Sequence, residues 1–119
     1  MTLKTIRLEL ARTHDFPEGS ADCGYDLHAP LTEDGHLDLA SFAAVRTQCT
    51  VRRFWAGEDD SHGLLHRTRN HAWAFSYRPG EDDDEAIFRL ENHRFRVGDY
   101  VTITEHDGKA LPFKVVLVR

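Results

Sequence analysis

Lysine is nearly absent from the body of this chain: none occurs between Lys4 and Lys109, so the positive charge of the middle is carried by arginine alone. Cysteine is scarce as well. Cys23 and Cys49 allow one bridge at most, which is no disulfide framework, and a reduced, cytoplasmic setting with free thiols is expected. No apolar run approaches the roughly 20 residues of a membrane span, and the stretch from Met1 to Arg7 lacks the apolar core of a secretory signal, so no membrane partner is expected. The sequence holds no CxxC, HExxH, Walker loop, dinucleotide fingerprint or Gly-x-Ser-x-Gly elbow. No catalytic residue, metal or cofactor is therefore assigned. No repeat or Ser/Gly linker divides the 119 residues, and a single domain over 1–119 is expected.

What the chain does have is a hydrophobic content of 40% and an aromatic content of 10%, enough for an ordered core. Its net charge of -5 disfavours a general nucleic-acid coat. The charge is unevenly spread. Arg46, Arg52, Arg53, Arg67, Arg69 and Arg78 face only Glu58, Asp59 and Asp60 in their segment, and the acidic run Glu81–Glu85 follows. Arginine makes planar, bidentate contacts and stacks on rings. The plainer expectation is that these arginines pair with the acidic loops; a ligand site is the alternative.

Hydrophobic periodicity predicts a mainly β protein: a small antiparallel β-barrel or curled sheet with one short packed α-helix. Ile6, Leu8 and Leu10 alternate with polar residues as a half-buried strand does. Residues 12–24 read as a loop, with an extended piece at Tyr25–Leu31 closed by the Asp34-Gly35 turn. Asp38 is a candidate N-cap for a helix over Leu39–Gln48, whose Leu39, Phe42 and Val45 should be buried. Strands are expected at Thr50–Ala56, Leu64–Thr68, His71–Tyr77, Ala86–Leu90, Tyr100–His106 and Leu111–Val118, the last two joined by an Asp107-Gly108 hairpin. In that hairpin Val101, Ile103, Phe113, Val115 and Leu117 should point inward, with Val116 and Val118 on the other face. Exposed terminal strands would offer edges for dimerisation.

The phrase Phe95-Arg96-Val97-Gly98-Asp99-Tyr100-Val101-Thr102-Ile103 is similar to the entry into a barrel strand of SH3-like and other small barrels, which implies fold and not function. Cys49–Trp55, Gly63–Arg67 and Trp73-Ala74-Phe75, together with Tyr25 and the Gly98–Val101 corner, resemble a family of small proteobacterial proteins with no established activity. That resemblance implies no catalytic motif.

Trp73, Phe75 and Tyr77 share one strand face and either fill a barrel or form a stacking platform; the core is the favoured reading. An outward row flanked by Arg67, Arg69 and Arg78 would suit single-stranded nucleic acid. His62, His66 and His71 invite a metal reading, but residues four apart along a strand lie about 13 Å apart. Neither Cys23, beside Asp22, nor Cys49, at a helix C-terminus, is placed to be an activated nucleophile. Arg52 and Arg53 are adjacent in a strand and must face opposite ways. Of the two, Arg53 shares its face with Trp55, so this pair is the expected ligand contact, with Arg67, Arg69 and Trp73 as further candidates. The function these features predict is a non-catalytic binding or accessory module with a protein or small anionic ligand as partner. Weak binding of single-stranded nucleic acid or another anionic ligand through the arginine-aromatic surface, or a metal-assisted enzyme using His62, His66 and His71, are the alternatives.

Overall fold

The two-residue period of the sequence resolves into eight strands in the computed structural model, which describes residues 3–68, 72–77, 85–87 and 94–119. In chain order these are β1 (Leu3–Leu10), β2 (Ser20–Pro30), β3 (Thr50–Phe54), β4 (Ser61–Arg67), β5 (Trp73–Ser76), β6 (Glu85–Ile87), β7 (Tyr100–Thr104) and β8 (Ala110–Val118). Each pairs antiparallel with the next, and β8 returns to pair with β1, closing a barrel in simple up-and-down order. The terminal strands are thus not free edges, as the sequence reading had them. Thr5 and Arg119 exchange both backbone hydrogen bonds across the closure, at 2.7 and 3.0 Å.

Closure separates two kinds of surface. Inside are Ile6, Leu8, Tyr25, Leu27, Val51, Leu65, Phe75, Ile103, Phe113 and Val115, all buried. On the outer wall, Arg7, Asp26, Arg52 and His62 form one cross-strand row through β1, β2, β3 and β4. No helix among the described residues is long and apolar enough to cross a membrane.

Several expectations shift by register. Strand β2 begins at Ser20, five residues earlier than expected, because a bulge opposite Glu9 and Leu10 absorbs residues 21–23. Gly24 is therefore a strand residue rather than a loop breaker, and a Cβ there would stand 2.0 Å from the Leu8 carbonyl oxygen. Gly63 likewise lies within β4, against the Ser76 carbonyl oxygen. A second bulge lies between the Arg7–Leu117 and Leu8–Val115 pairs. It reverses the expected faces at the end of β8: Val118 sits opposite the buried Ile6 and packs on the core, while Leu117 sits opposite outward Arg7. Val101, Ile103, Phe113 and Val115 point inward as the alternation predicts.

The helix α1 (Leu39–Val45) continues as a single 3-10 turn, Arg46–Gln48. Asp38 caps it, accepting from the Ser41 amide at 3.2 Å. Val45 is buried, and Phe42 is half-buried with its ring edge-on to Trp73 at 4.9 Å. Leu39 stays 48% exposed, contrary to expectation, because two turns cover the barrel end with one side only. The helix joins β2 to β3 and so closes the end opposite the β3–β4 and β7–β8 hairpins. The hairpin at Asp107-Gly108 forms as read, with Gly108 at φ +86°.

Candidate functional site

At the end opposite α1 the inward pattern turns from apolar to charged. Arg53 follows Val51 on the inner face of β3 and is directly opposite Tyr25 on β2. Glu105 follows Val101 and Ile103 in the inward phase of β7, and Glu85 opens β6. All four side chains converge at the mouth. Glu85 is fully buried, and the side chains of Glu105 and Arg53 are 4% and 6% exposed.

Arg53 holds this group together. Its Nη2 donates to Glu105 Oε1 at 2.6 Å, its Nη1 donates to Glu58 at 3.1 Å, and its Nε lies 3.4 Å from Glu85 Oε2. Tyr25 Oη contacts Glu85 Oε1 at 2.9 Å and also touches Glu105 Oε2. Tyr77 donates to Glu85 Oε1 at 2.5 Å, and His106 Nδ1 lies 3.0 Å from Glu85 Oε2. Tyr25 has one hydroxyl proton and two carboxylate neighbours, so its second contact is a hydrogen bond only when a carboxyl proton is present. Burial, and next the charge of Glu85, raise the pKa of Glu105, which makes it the natural carrier of that proton. Burial followed by Glu85 also pushes both tyrosines far above the usual phenol range. Burial works to lower Arg53, but hydrogen bonding and charge from Glu105 outweigh it and hold the guanidinium ionised.

Among the described residues, two buried carboxyl groups thus face one buried cation, and the proton on Glu105 is what balances them. An uncompensated charge in such a place is costly, and the excess has to be met by a proton or by another cation. The surrounding loops have the same sign. Besides Glu105 itself, segments 11–19, 55–60 and 105–109 carry six carboxylates against Arg12 and Lys109.

The expected ligand contacts divide between the two ends of the barrel. Arg53 does stack on Trp55, 4.3 Å from its ring centroid, and Trp55 is half-buried; but the pair lies inside the mouth and the guanidinium is turned to glutamates. Arg67 lies over Trp73 at 5.7 Å. Six residue steps along β4, about 20 Å of extended strand, separate Arg67 from Ser61 opposite Arg53, so the two pairs do not share a groove. Trp73 and Phe75 are core residues, as the favoured reading of the aromatic row has it. Arg52 faces outward and pairs with Asp26 at 2.7 Å and Asp60 at 2.8 Å. Arg52 and Arg53 thus pair with the loop acids Asp60 and Glu58, as the plainer expectation has it for these two, and Arg78 lies outside the described residues. Arg69 and His71 lie outside the described residues. His62 is exposed and His66 half-buried on β4. Among the described residues, the metal-type donors that converge are Glu85, Glu105 and His106 instead, with ligand atoms within 4.8 Å of one another. Cys23 and Cys49 are free and buried, and burial raises the Cys49 thiol pKa.

The sequence reading missed Glu85, Glu105, His106 and Tyr25 as a group. Part of the signal was present: counting back from the Asp107-Gly108 turn, Glu105 is in phase with Ile103 and Val101. No protein-family model, curated protein or solved structure matches this chain.

Proposed function

We propose that this chain is a non-catalytic binding module whose ligand site is the acidic mouth of the barrel, and that the ligand is cationic. The observation that carries this reading is that, among the described residues, the buried Glu85 and Glu105 are faced by one buried cation, Arg53, with His106 at the rim. The acidic loops around it focus a negative potential on the same opening, which draws cations and repels anions. Glu85, Glu105, Tyr25, Tyr77 and Arg53 already restrain one another, an arrangement suited to holding a charge. The anionic-ligand alternative loses its main support, since both Arg52 and Arg53 are engaged by carboxylates. The same reading keeps the chain in a reducing cytoplasm, where Cys23 and Cys49 remain thiols.

The test is an amide and indole NMR titration of the full chain with guanidinium, with methylammonium, with phosphate and with a short single-stranded DNA. The two organic cations are expected to shift Trp55, Tyr77 and His106 saturably while phosphate and DNA leave them unmoved. Shifts caused by phosphate or DNA, or none from any cation, would overturn the reading.

A further inference from the structure

We propose that Glu85, Glu105 and His106 form a binding site for one divalent transition-metal ion at the barrel mouth. This inference rests on the cation-binding reading above and names its occupant. Burial decides the size of the ligand: Glu85 is fully enclosed and Glu105 nearly so, with Tyr25, Phe75 and Phe113 filling the barrel below them. The side chains of Glu85 and Glu105 are 0% and 4% exposed, so a bare ion suits the buried pair, while the organic cations of the titration above report on the rim.

The donor set and spacing fit such an ion. Ligand atoms around zinc at about 2.0–2.2 Å stand roughly 3.4 Å apart in a tetrahedron. Here two carboxylate oxygens and an imidazole nitrogen lie within 4.8 Å of one another, and His106 Nδ1 is already 3.0 Å from Glu85 Oε2. Mixed carboxylate and imidazole ligands suit zinc, manganese or iron rather than the all-oxygen preference of calcium. Arg53 engages Glu105 through Oε1, which leaves Oε2 on the side of Tyr25. Tyr25 and Tyr77 both donate to Glu85 Oε1 and fix that carboxylate's orientation, as outer hydrogen bonds do in metal sites. His106 is 53% exposed, so the third donor sits at the solvent side, where an ion enters and a water ligand remains. Binding requires Nδ1 to be unprotonated, and any displaced proton leaves to solvent.

A divalent ion replaces the excess negative charge of the buried pair by a single positive one, and the acidic loops outside compensate it. Glu85 opens β6, and Glu105 and His106 lie in the β7–β8 turn directly after Thr104, where the Glu105 amide donates to the Lys109 carbonyl.

The experiment is calorimetric titration of untagged, chelator-treated full chain with Zn²⁺, Mn²⁺ and Co²⁺, with the visible spectrum of the Co²⁺ form as a second readout. One equivalent of at least one ion is expected to bind saturably, with affinity reduced about tenfold or more in His106→Ala and in Glu105→Gln. His62→Ala, on the outer wall, is expected to bind as the parent does. Circular dichroism establishes that each variant is folded. No saturable binding at millimolar metal overturns the site, and so does binding that His106→Ala spares and His62→Ala removes. If metal fails while guanidinium still shifts the mouth resonances, the site falls and the cation-binding reading stands. If both fail, both are wrong.

Discussion

Arg53 is the residue whose removal tests the mouth most directly, because it is the buried cation held between Glu105 and Glu85. Arg53→Met keeps the volume and leaves the carboxylates unpaired. Breaking one side of a buried ion pair costs about 3–5 kcal/mol, and urea denaturation at neutral pH should show a loss of that order. A loss under about 1 kcal/mol would mean that the guanidinium is not holding those charges. Asp34 offers a test at the other end. The hydrogen bond from Thr32, then the one from His36, lower its pKa from 3.8 to about 2. A carboxylate depressed in the folded state contributes stability that is present above 3.8 and is lost as pH falls through about 2. A carboxyl NMR titration should place its midpoint near 2, and Thr32→Val should return it toward 3.8. An unchanged midpoint in the variant would remove Thr32 as the cause.

At the scale of the element, the strands are set by places where backbones come unusually close. A Cβ on Gly63 would meet the Ser76 carbonyl oxygen at 2.1 Å, so β4 and β5 must part to accept Gly63→Ala. Overpacking of this kind costs about 1–3 kcal/mol, and a variant that melts with the parent would show that the strands are not that close. The helix is a weaker element. Phe42 is half-buried against Trp73, so Phe42→Ala is expected to cost about 2 kcal/mol, below the 3–5 typical of an enclosed ring. A larger loss in chemical denaturation would mean that the helix plugs the barrel more deeply than its exposed Leu39 indicates.

For the whole molecule, closure is the decisive feature. Strand β1 is bonded to β2 on one side and β8 on the other, so neither terminal strand presents an open ladder. Amides of β1 and β8 should then belong to the slowest class in native-state hydrogen exchange, opening only with global unfolding. Exchange of β1 amides at loop rates would show that the barrel is open at that seam. Closure also creates two unlike ends. One is covered by α1, and the other gathers buried charge beneath acidic loops.

Local order was legible in the sequence because it depends on near neighbours. Alternation over Ile6, Leu8 and Leu10 gave a strand, Asp38 marked the helix start, and Asp107-Gly108 marked the hairpin, each through a period or a turn preference a few residues long. The facing of β3 was not legible, since Val51, Arg53 and Trp55 on one side and Arg52 and Phe54 on the other are equally mixed. Only pairing with β2 and β4 turned Arg53 inward. The bulge in β8 reversed Leu117 and Val118 for the same reason: register is a property of two strands. The candidate site is the extreme case. Tyr25 meets Glu105 across 80 residues and Glu85 across 60, and no local pattern brings them together. The sequence determined the strands and their turns; closure of the barrel alone decided which charges would share its interior.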